Sequence, residues 1–315
     1  MKVSLYSVSY AGLWYEGDAL SVDELIFRAK ENGFDGVEID AKRPHGFPLD
    51  LDEKERKRIR DLARSRGVEV MGVAGNNNFV SPFAEDRENE LLALSEQIRL
   101  AHDLEAKVVR VFLAWPRITR IDGIGNYEVA WKYAISGIFP GPDVTTRQQW
   151  KWAKECLKEG VEIAEKYGVT LALQNHPPFI MHKEDGYYDM LDMVREVNSD
   201  YLKCSLDCPL LRCQDDDYIT KAVKEVGSLQ VISHFGGEFE RDNSGKVIQV
   251  PIRGLDMKLI NYPTFIKALK EVGYNGYFSF EFCHPVLTED HELAGIERVN
   301  EQVKYGLEYI KNLIR

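Results

Sequence analysis

The sequence predicts an α/β fold, a single (β/α)8 TIM barrel forming one domain over residues 1–315, with long loops after the fourth and seventh strands. Three observations predict it. Short runs rich in β-branched residues alternate with longer helical patterns from one end of the chain to the other, which implies parallel strands joined by crossover helices. Strands and helices each number eight, the count a closed barrel needs. The 315 residues accommodate the roughly 250 that such a barrel uses, with insertions to spare.

The elements follow in order. The first strand, Val3–Val8, leads to a helix over 21–32, where Ser21 and Glu24 make a capping-box pair. Strand two, Gly36–Ile39, leads to a helix over 51–66, and strand three, Val68–Val73, to one over 85–104. Strand four, Val108–Leu113, reaches its helix at 147–167 only after a long connection, 114–146, which carries Trp115, Pro116, Trp131, Phe139 and a Phe139-Pro140-Gly141-Pro142 turn. Strand five is Val169–Gln174 with a helix over 187–197, and strand six is Leu202–Asp207 with a helix over 215–226. Strand seven, Leu229–His234, is followed by the second long connection, 236–261, and a helix over 262–272. Tyr277–Glu281 is the eighth strand, and a helix over 296–313 closes the chain. Gly33, Gly67, Gly168 and Gly273 each stand where a helix gives way to a strand, a place that favours a left-handed backbone. Both long connections follow strands, so both overhang the catalytic face, as functional lids or contact surfaces do.

Composition narrows the function. A formal net charge of -11 repels a phosphate backbone and argues against nucleic acid. No signal-peptide pattern and no bilayer-length apolar stretch stand out, so the expected location is cytoplasmic. The five cysteines show no regular spacing, and Cys204, Cys208 and Cys213 are read as reduced thiols rather than a thiolate metal site.

Strand parity then picks out candidate chemistry. Alternate residues face opposite sides of a strand, which makes Gln174, Asp207, His234 and Glu281 the last inward residues of four successive strands, with Glu38 in the same position on the second. Polar groups converging at one end of a barrel are costly to bury without a partner. Carboxylate, imidazole and amide oxygen together suit one divalent ion, Mn2+ first, with Mg2+ or Co2+ as alternatives. Arg110, inward on the fourth strand, is expected to pair with Glu38 or to orient a substrate hydroxyl.

These residues carry a resemblance. Gly36-Val37-Glu38-Ile39, Leu171-Ala172-Leu173-Gln174-Asn175-His176, Ser205-Leu206-Asp207, Ile232-Ser233-His234 and Phe280-Glu281 resemble the xylose-isomerase-like sugar phosphate isomerase/epimerase superfamily. That group includes ketose 3-epimerases, hydroxypyruvate isomerases, inosose dehydratases and the metal-binding subunits of C-glycoside deglycosidases. The resemblance covers nearly the whole chain and implies a metal held by Gln174, Asp207, His234 and Glu281. Three departures stand out. Gln174 replaces the usual glutamate. Leu210 stands where the epimerases have a histidine. Glu240, with Arg241 beside it, stands where they have a substrate-binding arginine.

A neutral amide can coordinate an ion but cannot act as a base, so the two-glutamate epimerisation that the resemblance implies loses a partner. His176, two residues beyond Gln174, is the first candidate base, because an ordinary imidazole titrates near ~6.5; Glu281 is the second. The expected reaction is proton abstraction α to the ketone of a sugar, keto-glycoside or cyclitol. It would end in a lyase step: β-elimination, C- or O-glycoside cleavage of a 3-keto sugar, or inosose dehydration. A ketose epimerase or isomerase is the alternative, and a non-catalytic sugar-binding barrel a distant one. Glu38, Arg110, Trp115 and Phe179 are candidate substrate contacts, and Phe79, Trp131 and Phe139 are further aromatics that could hold an aglycone. A homo-oligomer, or a subunit of a hetero-complex, is the expected assembly. Apurinic endonucleases share the barrel but need a basic groove, which the scattered histidines and acidic balance do not provide.

Overall fold

The computed structural model describes residues 1–121, 124–127, 143–177, 186–255 and 258–315. Eight parallel strands close a barrel: β1 (Lys2–Tyr6), β2 (Gly36–Asp40), β3 (Glu69–Ala74), β4 (Val108–Val111), β7 (Thr170–Gln174), β8 (Leu202–Ser205), β9 (Gln230–Phe235) and β12 (Tyr277–Phe280). Neighbours in chain order are neighbours round the ring, and β12 pairs with β1 through Lys2↔Tyr277 to Leu5↔Phe280. The helices are α1 (Val22–Asn32), α2 (Glu53–Arg66), α3 (Ala84–Asp103), α4 (Thr146–Tyr167), α5 (Gly186–Val197), α6 (Asp216–Val226), α7 (Tyr262–Glu271) and α8 (Ile296–Ile314). The predicted fold class is therefore the observed one. No helix among the described residues is long and apolar enough to cross a membrane.

Local chemistry sets the boundaries. Ser21 caps α1 in a full capping box with Glu24, and Thr145 does the same for α4 with Gln148. Gly33 ends α1 at φ 86°, a left-handed turn that swings the chain into β2. The wall between strands and helices is apolar, with Leu171, Leu173, Val109, Phe278 and Phe280 fully buried. Inside the ring Met71, Ala172 and Ile232 pack together, and Ser4, Ser205 and Ser279 lie buried on the inward parity.

Three strands stop two residues short of expectation, β4 among them at Val111 rather than Leu113. β1 gives way to a 3-10 turn at Ser7–Tyr10, and β8 ends at Ser205, two residues before Asp207. Both long connections carry hairpins: β5 (Thr119–Ile121) with β6 (Ile124–Asn126) after β4, and β10 (Glu238–Arg241) with β11 (Val247–Val250) after β9. Trp131, Phe139 and Phe179, together with the Phe139–Pro142 turn, lie outside the described residues.

Candidate active site

The barrel brings Gln174, Asp207 and His234 together at the C-terminal ends of β7, β8 and β9, all three buried. Asp207 is held from several sides. Its N–H donates to Asn175 Oδ1 (2.8 Å), its carbonyl accepts from Asn175 Nδ2 (3.2 Å), and its Oδ1 accepts from the His234 N–H (2.8 Å). That leaves Oδ2 facing His234 Nδ1 at 3.0 Å and accepting from the Gln174 amide nitrogen, which itself lies 3.3 Å from His234 Nδ1. On the far edge of the imidazole, Nε2 lies 2.9 Å from Glu38 Oε2. Burial works against a charged His234, but Glu38, Asp207 and Glu281 outweigh it and raise its pKa well above the ordinary value. Burial likewise works against the Glu38 charge; His234 and Arg110 overcome that and hold it below its usual range.

Glu38 partners His234 through Oε2, while its Oε1 is buried without a hydrogen-bond partner and the residue is not among those lining the cavity beside the trio. Arg110 does not pair with Glu38. Its Nη1 donates to Gly75 O (2.8 Å) and its Nη2 to Tyr6 Oη (2.7 Å). Phe112 covers the guanidinium at 4.1 Å, and the buried Nε has no hydrogen-bond partner.

Beside the trio lies a cavity of about 30 Å³ whose lining includes Arg110, Trp115, Gln174, His176 and Glu281. Glu281 is half-buried at the end of β12, its N–H donating to Phe235 O at 2.9 Å. Burial, with Asp207 and Glu38 adding, raises its pKa against the pull of His234 and Arg110. His176 is turned differently from expectation: Nδ1 meets the carbonyl of Pro177, and the ring stands edge-on to Phe112 and Trp115, with centroids at 5.1 and 4.9 Å. Enclosure by protein pushes it down to about 4, so it is not the neutral-range imidazole the sequence suggested. Trp115 stacks on Phe112 at 4.7 Å and forms the aromatic wall of the cavity. Phe79 does not join it, being fully buried in the main core. A larger groove, about 490 Å³, lies at the opposite end of the barrel; its ionic lining is engaged in pairs such as Arg64–Glu105 and Lys2–Glu69.

A profile of the xylose isomerase-like TIM barrel family matches residues 26–313. The chain belongs to that family. Fructoselysine 3-epimerase of Escherichia coli O157:H7 is 23% identical over 274 residues, 86% of this chain and 88% of that protein. Among solved structures, D-psicose 3-epimerase from Clostridium cellulolyticum H10 superposes with a TM-score of 0.72 at 18% identity, covering 100% of both chains. The IOLI protein with a binding zinc atom does so with a TM-score of 0.66 at 16% identity, covering 100% of this chain and 98% of that one. The structural likenesses show the fold. The named sugar-active relatives are epimerases, which favours the epimerase alternative over the lyase expectation.

Two departures from the xylose isomerase-like family acquire a structural setting. Leu210 falls in the short 3-10 turn after β8. Glu240 pairs with Arg253 at 3.3 Å, and Arg241 is tied to Glu308 of α8 at 2.6 Å, so neither serves the cavity. The third, Gln174, bears on the ion. Among the described residues no group of three or more His, Cys, Asp and Glu side chains forms a ready-made cage; the converging trio has a glutamine as its third member. The Asp207–His234 pair within it still fits an ion, although Gln174 turns its NH2 rather than its oxygen toward them. Bonds of about 2.1 Å in an octahedral shell put adjacent ligand atoms about 3 Å apart, and Asp207 Oδ2 and His234 Nδ1 are separated by 3.0 Å. Glu38 on Nε2 fixes the imidazole so that Nδ1 is the atom presented, as a supporting carboxylate does for a ligating histidine. Sequence reasoning missed Asn175, Tyr6 and the link between Glu38 and His234. Asn175 carried a signal, since a buried polar residue directly after Gln174 must face away from the cavity and find a partner there.

Proposed function

We propose that this chain is a divalent-metal-dependent epimerase or isomerase of ketoses or keto-sugars, working by proton transfer at the carbon beside the ketone. The observation that carries this reading is the convergence of Gln174, Asp207 and His234 next to a cavity lined by Glu281, His176 and Arg110. Similarity to a fructoselysine 3-epimerase supports it. Gln174, Asp207, His234 and Glu281 would hold the ion, Mn2+ foremost. When bound, such an ion supplies Lewis acidity toward the ketone oxygen.

The remaining work falls to the chain. Glu281 is the carboxylate facing the cavity and takes the proton from carbon. His176 faces the same cavity from β7, three strands away round the ring. A group on each side of the substrate is what inversion at one carbon needs, and His176 Nε2, the edge left open once Nδ1 is engaged with Pro177, would relay a proton from solvent to the opposite face. Arg110 brings an uncommitted N–H to the oxygen on which negative charge builds, a preorganised donor in a water-poor site. Trp115 and Phe112 offer a flat apolar face to the C–H side of a sugar. The carboxylates of Glu38, Asp207 and Glu281 are matched by a divalent ion together with Arg110, so the site suits a neutral polyol. With Trp115 in place the cavity, about 30 Å³, admits about one water, so substrate entry requires the Trp115 side chain to move.

The test is incubation in D2O with D-psicose, fructoselysine and a 3-keto-glucoside, followed by proton NMR. The expected result is an inverted epimer or shifted carbonyl carrying deuterium beside the ketone. Release of a leaving group without a deuterated epimer overturns the reading in favour of a lyase.

A further inference from the structure

We propose that Gln174 is a two-state residue: without an ion its amide NH2 occupies the place between the ligands, and with an ion the amide turns so that its oxygen points inward. The inference rests on the metal-site reading above and concerns how that site fills and empties.

Three observations lead to it. The Gln174 amide nitrogen donates to Asp207 Oδ2 and lies 3.3 Å from His234 Nδ1, so it sits where an ion would meet both. Its Oε1 is buried and has no hydrogen-bond partner. Leaving such an acceptor unpaired costs about 1–3 kcal/mol, which marks this orientation as a state with a reason to change. Finally, the rest of the site does not depend on Gln174. Asp207 is fixed by Asn175 and by the His234 N–H, and His234 by Glu38.

A carboxamide has almost the same shape after a half-turn about its last torsion, so nitrogen and oxygen exchange places with little other movement. In the turned state Oε1 would face Asp207 Oδ2, oxygen against oxygen, and an ion would take the place of the proton on His234 Nδ1. A cation between them makes that arrangement favourable, and without one it is repulsive. In the unturned state the NH2 supplies the positive partner itself. A glutamate cannot do this, because its carboxylate would face Asp207 with no proton to offer unless it gave up its charge. Glutamine at 174 therefore gives a site that keeps its shape when empty and exchanges its ion readily. Fewer charged ligands also mean weaker binding.

The experiment uses the full chain, stripped with a chelator and labelled with 15N in its glutamine side chains. The Gln174 NH2 pair is identified by its loss in Gln174→Glu. In the stripped protein this pair should exchange slowly with solvent. On titration with Zn2+, a diamagnetic probe, it should shift and become less protected, saturating at about one ion per chain. Calorimetry should show Gln174→Glu binding Zn2+ about tenfold more tightly or better. Stripped Gln174→Glu should melt below stripped wild type and gain more from Zn2+. If Gln174→Glu does not fold without an ion, Gln174→Met serves instead, with weaker Zn2+ binding and a lower ion-free melting point than wild type. Zn2+ binding that leaves the Gln174 signals unmoved overturns the two-state proposal while the metal reading stands. A wild-type chain that binds no ion overturns the metal reading itself.

Discussion

Replacing Glu38 by Gln perturbs the way the fold holds its central imidazole. Glu38 and His234 are both buried and lie 2.9 Å apart. The pKa shifts have opposite signs: Glu38 is lowered from 4.5, and His234 is raised well above 6.5. A lowered carboxylate contributes stability that is present above its unfolded value and lost as pH falls through the folded one. A raised imidazole contributes stability that is present below its unfolded value and lost as pH rises through the folded one. In the ion-free protein the pair thus contributes fully between 4.5 and 6.5 and weakens on either side. Breaking a buried pair costs about 3 kcal/mol, because one charge remains buried without its partner. At about 2.1 cal/mol/K of unfolding entropy per residue, the 315 residues give about 0.66 kcal/mol/K. Glu38→Gln should therefore lower the ion-free melting temperature by about 5 °C. Circular dichroism on chelator-treated protein reads this directly, and the drop should be largest near pH ~6 and smaller at pH ~4. Ion affinity should fall by about 10–100-fold, as it does when a supporting partner is removed. An unchanged melting temperature across this range, with unchanged ion affinity, would refute the reasoning.

Glu281→Gln should slow carbon–hydrogen exchange by about a hundredfold or more, measured as deuterium uptake, while circular dichroism reports a native fold. Gly236→Ala should reduce activity, because an added Cβ would lie 2.3 Å from the Glu281 carbonyl oxygen and force the end of β12 to shift; activity equal to wild type would show that this close approach does not matter. His45 provides a pH test away from the trio. Burial, with Lys42 adding, holds it below 6.5 despite Asp40 and the Leu20 carbonyl, to which its Nε2–H donates at 3.0 Å. Its contribution to stability is thus present above 6.5 and lost as pH falls. The stability of His45→Gln should improve relative to wild type as the pH drops below 6.5, followed by urea unfolding.

Much of this was legible in the sequence because a strand's pleat leaves little freedom. Once Val169–Gln174 and Tyr277–Glu281 are read as strands, parity determines which side chains face inward, and the buried trio follows. What the sequence withheld were choices among partners. Glu38 could pair with Arg110 or His234, and the closed barrel decides between them by letting the ends of β2 and β9, three strands apart round the ring, meet across its interior. His176 looked like an ordinary imidazole because its enclosure by Phe112 and Trp115 comes from a different connection. The hairpins in the long connections were hidden by the shortness of their strands, three residues each in β5 and β6. The lyase expectation came from Gln174 together with His176 nearby as a replacement base, and a missing carboxylate says nothing of which other group faces the substrate from the opposite side.

The most direct test of the central claim is ion-dependent exchange. Chelator-stripped chain and chain restored with Mn2+ are each incubated in D2O with the ketose found to react. Deuterium beside the ketone and the inverted product should appear together, vanish on chelation and return with about one ion per chain. Turnover indifferent to chelation, or product formed without deuterium, would contradict the account.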